Sequence, residues 1–272
     1  MRTRWKWIIG GVAVVVVLAV AGPFIYIHFI EGPPPAELAL PTTRTTQATG
    51  TSHTTGVAST TGIDGTYRVG PGSQAGYRVS EVLIGQKATA VGRTAKMWGS
   101  VTVAGGAVTA GTVTVDMASV VSDQSERNAQ FDGRIMDVAR YPTATLTLAR
   151  PIALGTVPSV GSSAPYTATG NLTMHGVTRS VTFPLTAERA SDGVYALADI
   201  PIVFADWNIA NPSVGGFVTT ADSGTLEVLV HLVTGAGNPA ATGSAASAGG
   251  GGAPGPVTVP KTTVPRITIP AG

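Results

Sequence analysis

The chain has 272 residues, with 17 Lys and Arg against 15 Asp and Glu, and no cysteine. The lack of cysteine excludes a disulfide framework, a thiolate metal site and a cysteine nucleophile. Residues 63–234 hold 11 basic and 13 acidic side chains, which excludes a nucleic-acid-binding domain, because such a domain concentrates basic charge on its folded part.

A long apolar stretch lies close to the N-terminus. Residues 8–30 carry no Asp, Glu, Lys or Arg, and as a helix they would reach about 34 Å, enough to cross the hydrocarbon core of a bilayer. The basic flank 1–7 predicts a cytoplasmic N-terminus, with the rest of the chain outside the cell membrane. Ala19–Ala21 would also suit signal-peptide cleavage, but apolar residues continue to Ile30, which favours an uncleaved single-pass anchor.

Two segments have the composition of solvated chain. Residues 31–62 are rich in Pro, Thr, Ser and Gly, and residues 235–272 are rich in Gly, Ala and Pro. Such segments bury too little apolar surface to offset the entropy of ordering them. We therefore predict a stalk at 31–62, a candidate for O-glycosylation, a disordered tail at 235–272, and a folded domain at 63–234.

Apolar residues alternate with polar ones through the folded domain, as in Tyr77/Val79, Leu146/Leu148 and Val181/Phe183/Leu185. This period of two predicts antiparallel strands with one apolar face. Residues 122–137 differ, because they are charged and space Phe131, Ile135 and Met136 for one helical face. The pattern predicts an all-β domain, either a closed barrel or a sandwich, with one short helical crossover.

Three stretches resemble the YceI-like domain family: VDMASVVSDQSERNAQFDGRIMDVARYPTATLTL (115–148), GNLTMHGVTRSVTFPL (170–185) and GTYRVGPGSQAGYRV (65–79). The resemblance implies a lipocalin-like antiparallel barrel of about eight strands. It also implies an apolar interior that holds a polyisoprenoid chain, such as a quinone tail or a polyprenyl carrier. The sequence departs from the family at Gly72 and Glu81, where many members have histidine, and at Asn128, where aspartate is frequent.

His175 is the most conspicuous candidate for chemistry, but its context favours a turn. His175-Gly176 joins two alternating runs, and a two-residue hairpin turn requires positive φ, which His before Gly tolerates. We expect a solvent-exposed tip there. No G-x-S-x-G or S-x-x-K motif occurs in the domain, and no metal-ligand spacing is present. We predict no catalytic residue, no metal site and no cofactor.

The predicted ligand site is the barrel interior. Inward-facing apolar residues either fill a core or line a cavity, and the family resemblance favours the cavity. Arg127, in the crossover, is a candidate contact for a lipid headgroup or a member of a local ion pair on a solvated helix face. The predicted lining or gating residues are Tyr77, Val79, Phe131, Leu146, Leu148, Phe183, Phe204 and Trp207.

We therefore expect a membrane-tethered, extracytoplasmic binding protein that sequesters or carries an isoprenoid lipid of the quinone or polyprenyl type, with the cytoplasmic membrane as its second partner. One alternative is a non-catalytic surface interaction domain whose barrel is filled. Another is a lipid-modifying enzyme, which would need converging acid, base or metal groups that the sequence does not supply.

Overall fold

The computed structural model describes residues 34–41, 62–122 and 124–234. The predicted membrane span at 8–30 and the predicted tail at 235–272 lie outside the described residues, as does most of the predicted stalk. In the ranges that are described, no helix combines the length and the apolar character of a membrane span.

The described residues form thirteen β-strands: β1 Gly65–Val69, β2 Gln74–Leu83, β3 Gln86–Thr94, β4 Met97–Ala104, β5 Ala107–Asp116, β6 Val121–Ser122, β7 Thr143–Leu148, β8 Ile152–Ala153, β9 Ser162–Met174, β10 Val177–Arg189, β11 Val194–Val203, β12 Val218–Thr220 and β13 Ser223–Thr234. A helix, α1, spans Ser125–Gln130 and continues as a π-helical turn at Phe131–Ile135. Short 3-10 helices span Met117–Ser119 and Phe204–Trp207.

The sheet closes on itself. Its antiparallel order is β1-β4-β5-β7-β9-β10-β11-β13, and β13 pairs back to β1. Strand β2 pairs with β13 beyond the end of β1, with Tyr77 opposite Leu226, so β1 and β2 form two halves of one position in the wall. Strands β4 and β3 divide the neighbouring position in the same way. The predicted eight-stranded antiparallel barrel with one short helix is confirmed.

The two ends of the barrel differ. One end, here called the helical end, carries α1, the 3-10 helix after β11, and the hairpin turns at Ile84-Gly85 and His175-Gly176. The opposite end, the far end, carries the β4–β5 turn at Gly105-Gly106, the loop before β9 and the turn between β10 and β11. The helical crossover predicted at 122–137 therefore lies at one end of the barrel.

Buried apolar residues form three clusters in the barrel. At the helical end Phe131, Met136, Phe204 and Trp207 belong to one buried cluster, and the ring of Phe131 stacks on that of Tyr77 with centroids 5.2 Å apart. A second cluster includes Tyr67, Val103, Val230 and Leu232. A third buried cluster, of Ala168, Phe183 and Ile200, lies on the middle of strands β9, β10 and β11.

A segment preceding the barrel contacts its outer wall. Arg78 Nη2 donates a hydrogen bond to the carbonyl of Pro35, and Arg93 Nη2 donates one to Ala36. Both arginines also bind Glu227, each with an N–O distance of 2.6 Å, and this carboxylate is only 1% exposed. Part of the predicted stalk is thus held against the barrel, while its residues 42–61 lie outside the described ranges.

Candidate functional site: an apolar cavity

The barrel encloses a cavity of about 1040 Å³. Binding sites for small molecules commonly measure about 300–1,000 Å³, so this cavity is slightly larger than that range. Its wall extends from Ile63 and Leu154 at the far end to Ile84, Val214 and Phe217 at the helical end. The last three residues are solvent-exposed, and the cavity mouth therefore lies at the helical end.

The wall is apolar because alternate residues of each strand point inward. Seven of the eight predicted lining or gating residues lie on it: Tyr77, Val79, Phe131, Leu146, Leu148, Phe183 and Phe204. Phe131 is the member contributed by the helical crossover, and its stacking on Tyr77 joins the crossover to the strand wall. Contact of these residues with a ligand remains a prediction.

Trp207 is the exception among the eight. It is buried in the cluster at the helical end but is not among the residues that line the cavity. Its carbonyl oxygen lies 3.0 Å from His175 Nδ1. Trp207 is therefore held in the cluster at the helical end by packing and by this main-chain contact.

His175 forms the predicted turn, with φ of 49° followed by 75° at Gly176. The expectation of a solvent-exposed tip was wrong, since His175 is only partly exposed. Its ring packs edge-on against Tyr141 with centroids 4.8 Å apart, and its Nδ1 reaches the Trp207 carbonyl. The residue fixes the hairpin to its neighbours and does not line the cavity.

Polar side chains collect on one side of the mouth. Arg127 lines the cavity and its Nη2 donates a 2.9 Å hydrogen bond to Glu81 Oε1. Glu81 is 8% exposed and lines the same cavity, as do Gln124 and Gln130. Arg127 is therefore an ion-paired residue at the mouth, and any contact with a lipid headgroup would be made by the pair.

Glu81 was missing from the predicted site, although a signal for it exists in the sequence. It continues the inward series Tyr77, Val79, and a carboxylate at an inward position requires a partner. The partner Arg127 lies 46 residues away, and no periodicity links the two. Sequence reasoning could therefore find the buried acid but not the pair.

Polar side chains also line the far end of the cavity, among them Tyr67, Tyr166 and Arg189. The Tyr67 hydroxyl donates a 2.7 Å hydrogen bond to the carbonyl of Ile63. Burial raises the pKa of the Tyr67 phenol, with Arg189 opposing the shift and Asp64 adding to it. The phenol therefore stays protonated at neutral pH. Among the described residues, no three His, Asp or Glu side chains lie close enough together to hold a metal ion.

The sequence pattern of the YceI-like domain matches residues 67–232, more than half of the chain. A polyisoprenoid-binding domain from Saccharophagus degradans, implicated in plant cell wall breakdown, has a similar structure, with a TM-score of 0.52 and 15% identity over 63% of this chain and 99% of that one. This likeness shows a common fold.

Two further solved structures are similar at lower scores. BcnA from Burkholderia cenocepacia has a TM-score of 0.44 and 23% identity, over 58% of this chain and 96% of that one. A YceI protein from Campylobacter jejuni has a TM-score of 0.39 and 15% identity, over 52% of this chain and 83% of that one. None of the curated proteins compared with this chain matches it.

Proposed function

Because this chain belongs to the YceI-like domain family, we propose that its barrel binds an isoprenoid lipid outside the cytoplasmic membrane to which residues 8–30 anchor it. The lipid would be of the quinone or polyprenyl type. The protein would hold or carry this molecule without transforming it.

The observation that carries the proposal is the apolar cavity of about 1040 Å³. Burial of each CH₂ group contributes about 0.8 kcal/mol, so a prenyl tail gains several kcal/mol by entering such a site. The Saccharophagus degradans domain with the same fold is a polyisoprenoid-binding domain, which supports this class of ligand. A cavity of this size disfavours the alternative of an interaction domain with a filled barrel.

The direct test is to purify the full chain from a bacterial membrane and to identify the extracted lipids by mass spectrometry. We expect an isoprenoid lipid at a molar ratio approaching one per chain. Recovery of phospholipid alone, in the proportions of the surrounding membrane, would contradict the proposal.

A cavity-filling variant makes the test specific. Gly111 lines the cavity, and a Cβ there would meet Val101 Cγ2 at 3.5 Å and Leu148 Cβ at 3.8 Å, which are ordinary contacts. Gly111→Phe should therefore project a ring into the cavity without backbone strain and sharply reduce lipid recovery. Ala110→Phe is the matched control, because Ala110 is exposed; its lipid content should equal that of the original chain.

A further inference from the structure

Three apolar side chains around the cavity mouth are exposed to solvent. Ile84, Val214 and Phe217 are 58%, 50% and 68% exposed, and we call them the apolar rim. Ile84 lies in the β2–β3 turn, while Val214 and Phe217 bound a neighbouring turn closed by a 3.0 Å main-chain hydrogen bond. A further bond of 2.8 Å, from Ile84 N to the Phe217 carbonyl, joins the two turns. All three residues line the cavity.

Folding does not account for the residue at the tip of the β2–β3 turn. Ile84 has φ of 47°, a conformation that a β-branched residue rarely adopts. A two-residue hairpin turn of this kind favours Asn, Asp or Gly, and the turns at Gly105-Gly106 and His175-Gly176 have Gly or His in that place. Ile84 is thus an exposed isoleucine in a backbone conformation that isoleucine disfavours. This indicates that the side chain has a role other than stabilising the fold.

The attachment of the preceding segment determines which end of the barrel can reach a membrane. The predicted span ends at Ile30, and the carbonyl of Pro35 is bound to Arg78 on the wall. Five extended residues reach about 17 Å, so this point of the wall must lie within about 17 Å of the bilayer surface.

Distances along the strands then separate the two ends. Arg78 precedes Ile84 by six residues, which is about 20 Å of strand, or about 15 Å along the axis of a barrel with strands tilted by about 40°. In the other direction, Ala104 at the far end follows Arg93 by eleven residues, about 28 Å along the same axis. The tether therefore reaches far enough for the helical end to touch the bilayer and falls short for the far end.

We propose that the apolar rim inserts into the outer surface of the lipid bilayer that anchors the chain, so that the cavity mouth opens onto the acyl chains. The inference rests on the membrane tether of the proposed function and adds a docking surface and an orientation to it. Exposed apolar clusters on a soluble domain mark interaction sites, and aromatic and aliphatic side chains stabilise the interface between water and lipid. An apolar ligand could then pass between membrane and cavity without crossing water.

The chain has no cysteine, so single-cysteine variants of the full chain accept one label each. Val214→Cys places a label on the rim, and Val160→Cys is the matched control, since Val160 is a valine of similar exposure, 57%, in the loop before β9. Each variant, labelled with nitrobenzoxadiazole, is reconstituted into vesicles of phosphatidylcholine and phosphatidylglycerol, with and without brominated acyl chains.

We expect brominated lipid to quench the label at position 214 several-fold more than the label at position 160. Adding Ile84→Asn and Phe217→Ser to the Val214→Cys chain should bring its quenching down to the level of the control. Equal quenching at 214 and 160, whether high or low, would overturn the proposal, and so would a chain that does not associate with the vesicles.

The same samples separate this inference from the proposed function. If the label at 214 is quenched and extraction yields no isoprenoid lipid, the proposed ligand is wrong while the docking surface stands. If the lipid is recovered and the label at 214 remains in water, the cavity has its ligand and the rim faces a protein partner or solvent, which overturns the docking surface alone.

Discussion

Arg127 and Glu81 form an ion pair of 2.9 Å at the cavity mouth, joining the helical crossover to strand β2. Their side chains are 18% and 8% exposed. Removing one member of such a pair leaves a charge in poorly solvated surroundings, whereas replacing both members by apolar side chains is often neutral. The pair therefore constrains the position of α1 and has a specific mutational signature.

Arg127→Met should lower the free energy of unfolding by about 2–3 kcal/mol, because Glu81 loses its partner. The double variant Arg127→Met/Glu81→Met should recover most of that loss, which a double-mutant cycle in urea would measure as a coupling energy. Arg134→Met, at an exposed arginine close by, is the control and should change little. Additive losses at 127 and 81 would contradict the pairing.

Glu227→Gln should be strongly destabilising, by about 3 kcal/mol. Both carboxylate oxygens accept hydrogen bonds from arginines at 2.6 Å, and a neutral amide at a site that is 1% exposed leaves two cations poorly compensated. Because Arg78 and Arg93 also hold Pro35 and Ala36, the variant should additionally speed proteolytic cleavage within residues 36–41. If the variant loses stability while its cleavage kinetics stay unchanged, Glu227 stabilises the barrel but does not hold residues 35 and 36 against the wall.

Ile84→Asn should stabilise the isolated fold by about 1 kcal/mol, since it relieves the left-handed backbone at φ of 47°. Val82→Asn, two residues earlier on strand β2, is the control, because the backbone there is extended and asparagine is unfavourable. A shift of the urea midpoint to higher concentration for the first variant and to lower concentration for the second would support the assignment. A destabilising Ile84→Asn would show that this side chain packs into the fold.

The raised pKa of Asp199 should make the free energy of unfolding depend on pH. Partial burial and the nearby carboxylates of Glu227 and Glu37 raise the pKa of Asp199 above its ordinary value of 3.8, and Arg78 opposes the shift. The folded chain therefore binds this proton more tightly than the unfolded chain, so the stabilisation is present below 3.8 and is lost as pH rises through the folded-state pKa.

Asp199→Asn should consequently raise the urea midpoint relative to the original chain at about pH 7 and lose this advantage at about pH 3. Measuring both proteins across this range cancels the titration of the other carboxyl groups. A constant difference at every pH would contradict the assignment to Asp199.

Phe183→Asp and His175→Asn should separate ligand retention from turn formation. Phe183 is buried on the cavity wall, and a carboxylate there places an unpaired charge against an apolar ligand, so bound lipid should be lost. Asparagine at 175 accepts the positive φ of the turn, so lipid retention should persist even if the contact with Trp207 is weakened. Equal loss of lipid from both variants would refute the cavity assignment.

Much of the barrel could be predicted from local patterns. Alternation placed Tyr77 with Val79 and Leu146 with Leu148 on one face, because the side-chain period of a strand is two regardless of its partners. The turn at His175-Gly176 was found through its residue types, whereas the turn at Ile84-Gly85 was not, because isoleucine gives no turn signal. Trp207 was grouped with the inward aromatic residues. It lies on a 3-10 helix, however, where the alternation of a strand no longer applies.

The sequence by itself determined which residues are apolar, how they alternate and where the helical crossover interrupts them, because these depend on chain-local geometry. Only the tertiary structure decided that the interior is a cavity, since its volume depends on how eight strand positions close. Closure of the barrel also brings Glu81 to Arg127, and Glu227 to Arg78 and Arg93. The members of these pairs are 46 to 149 residues apart in the sequence. Such pairs form only when the sheet closes, and no local pattern encodes them.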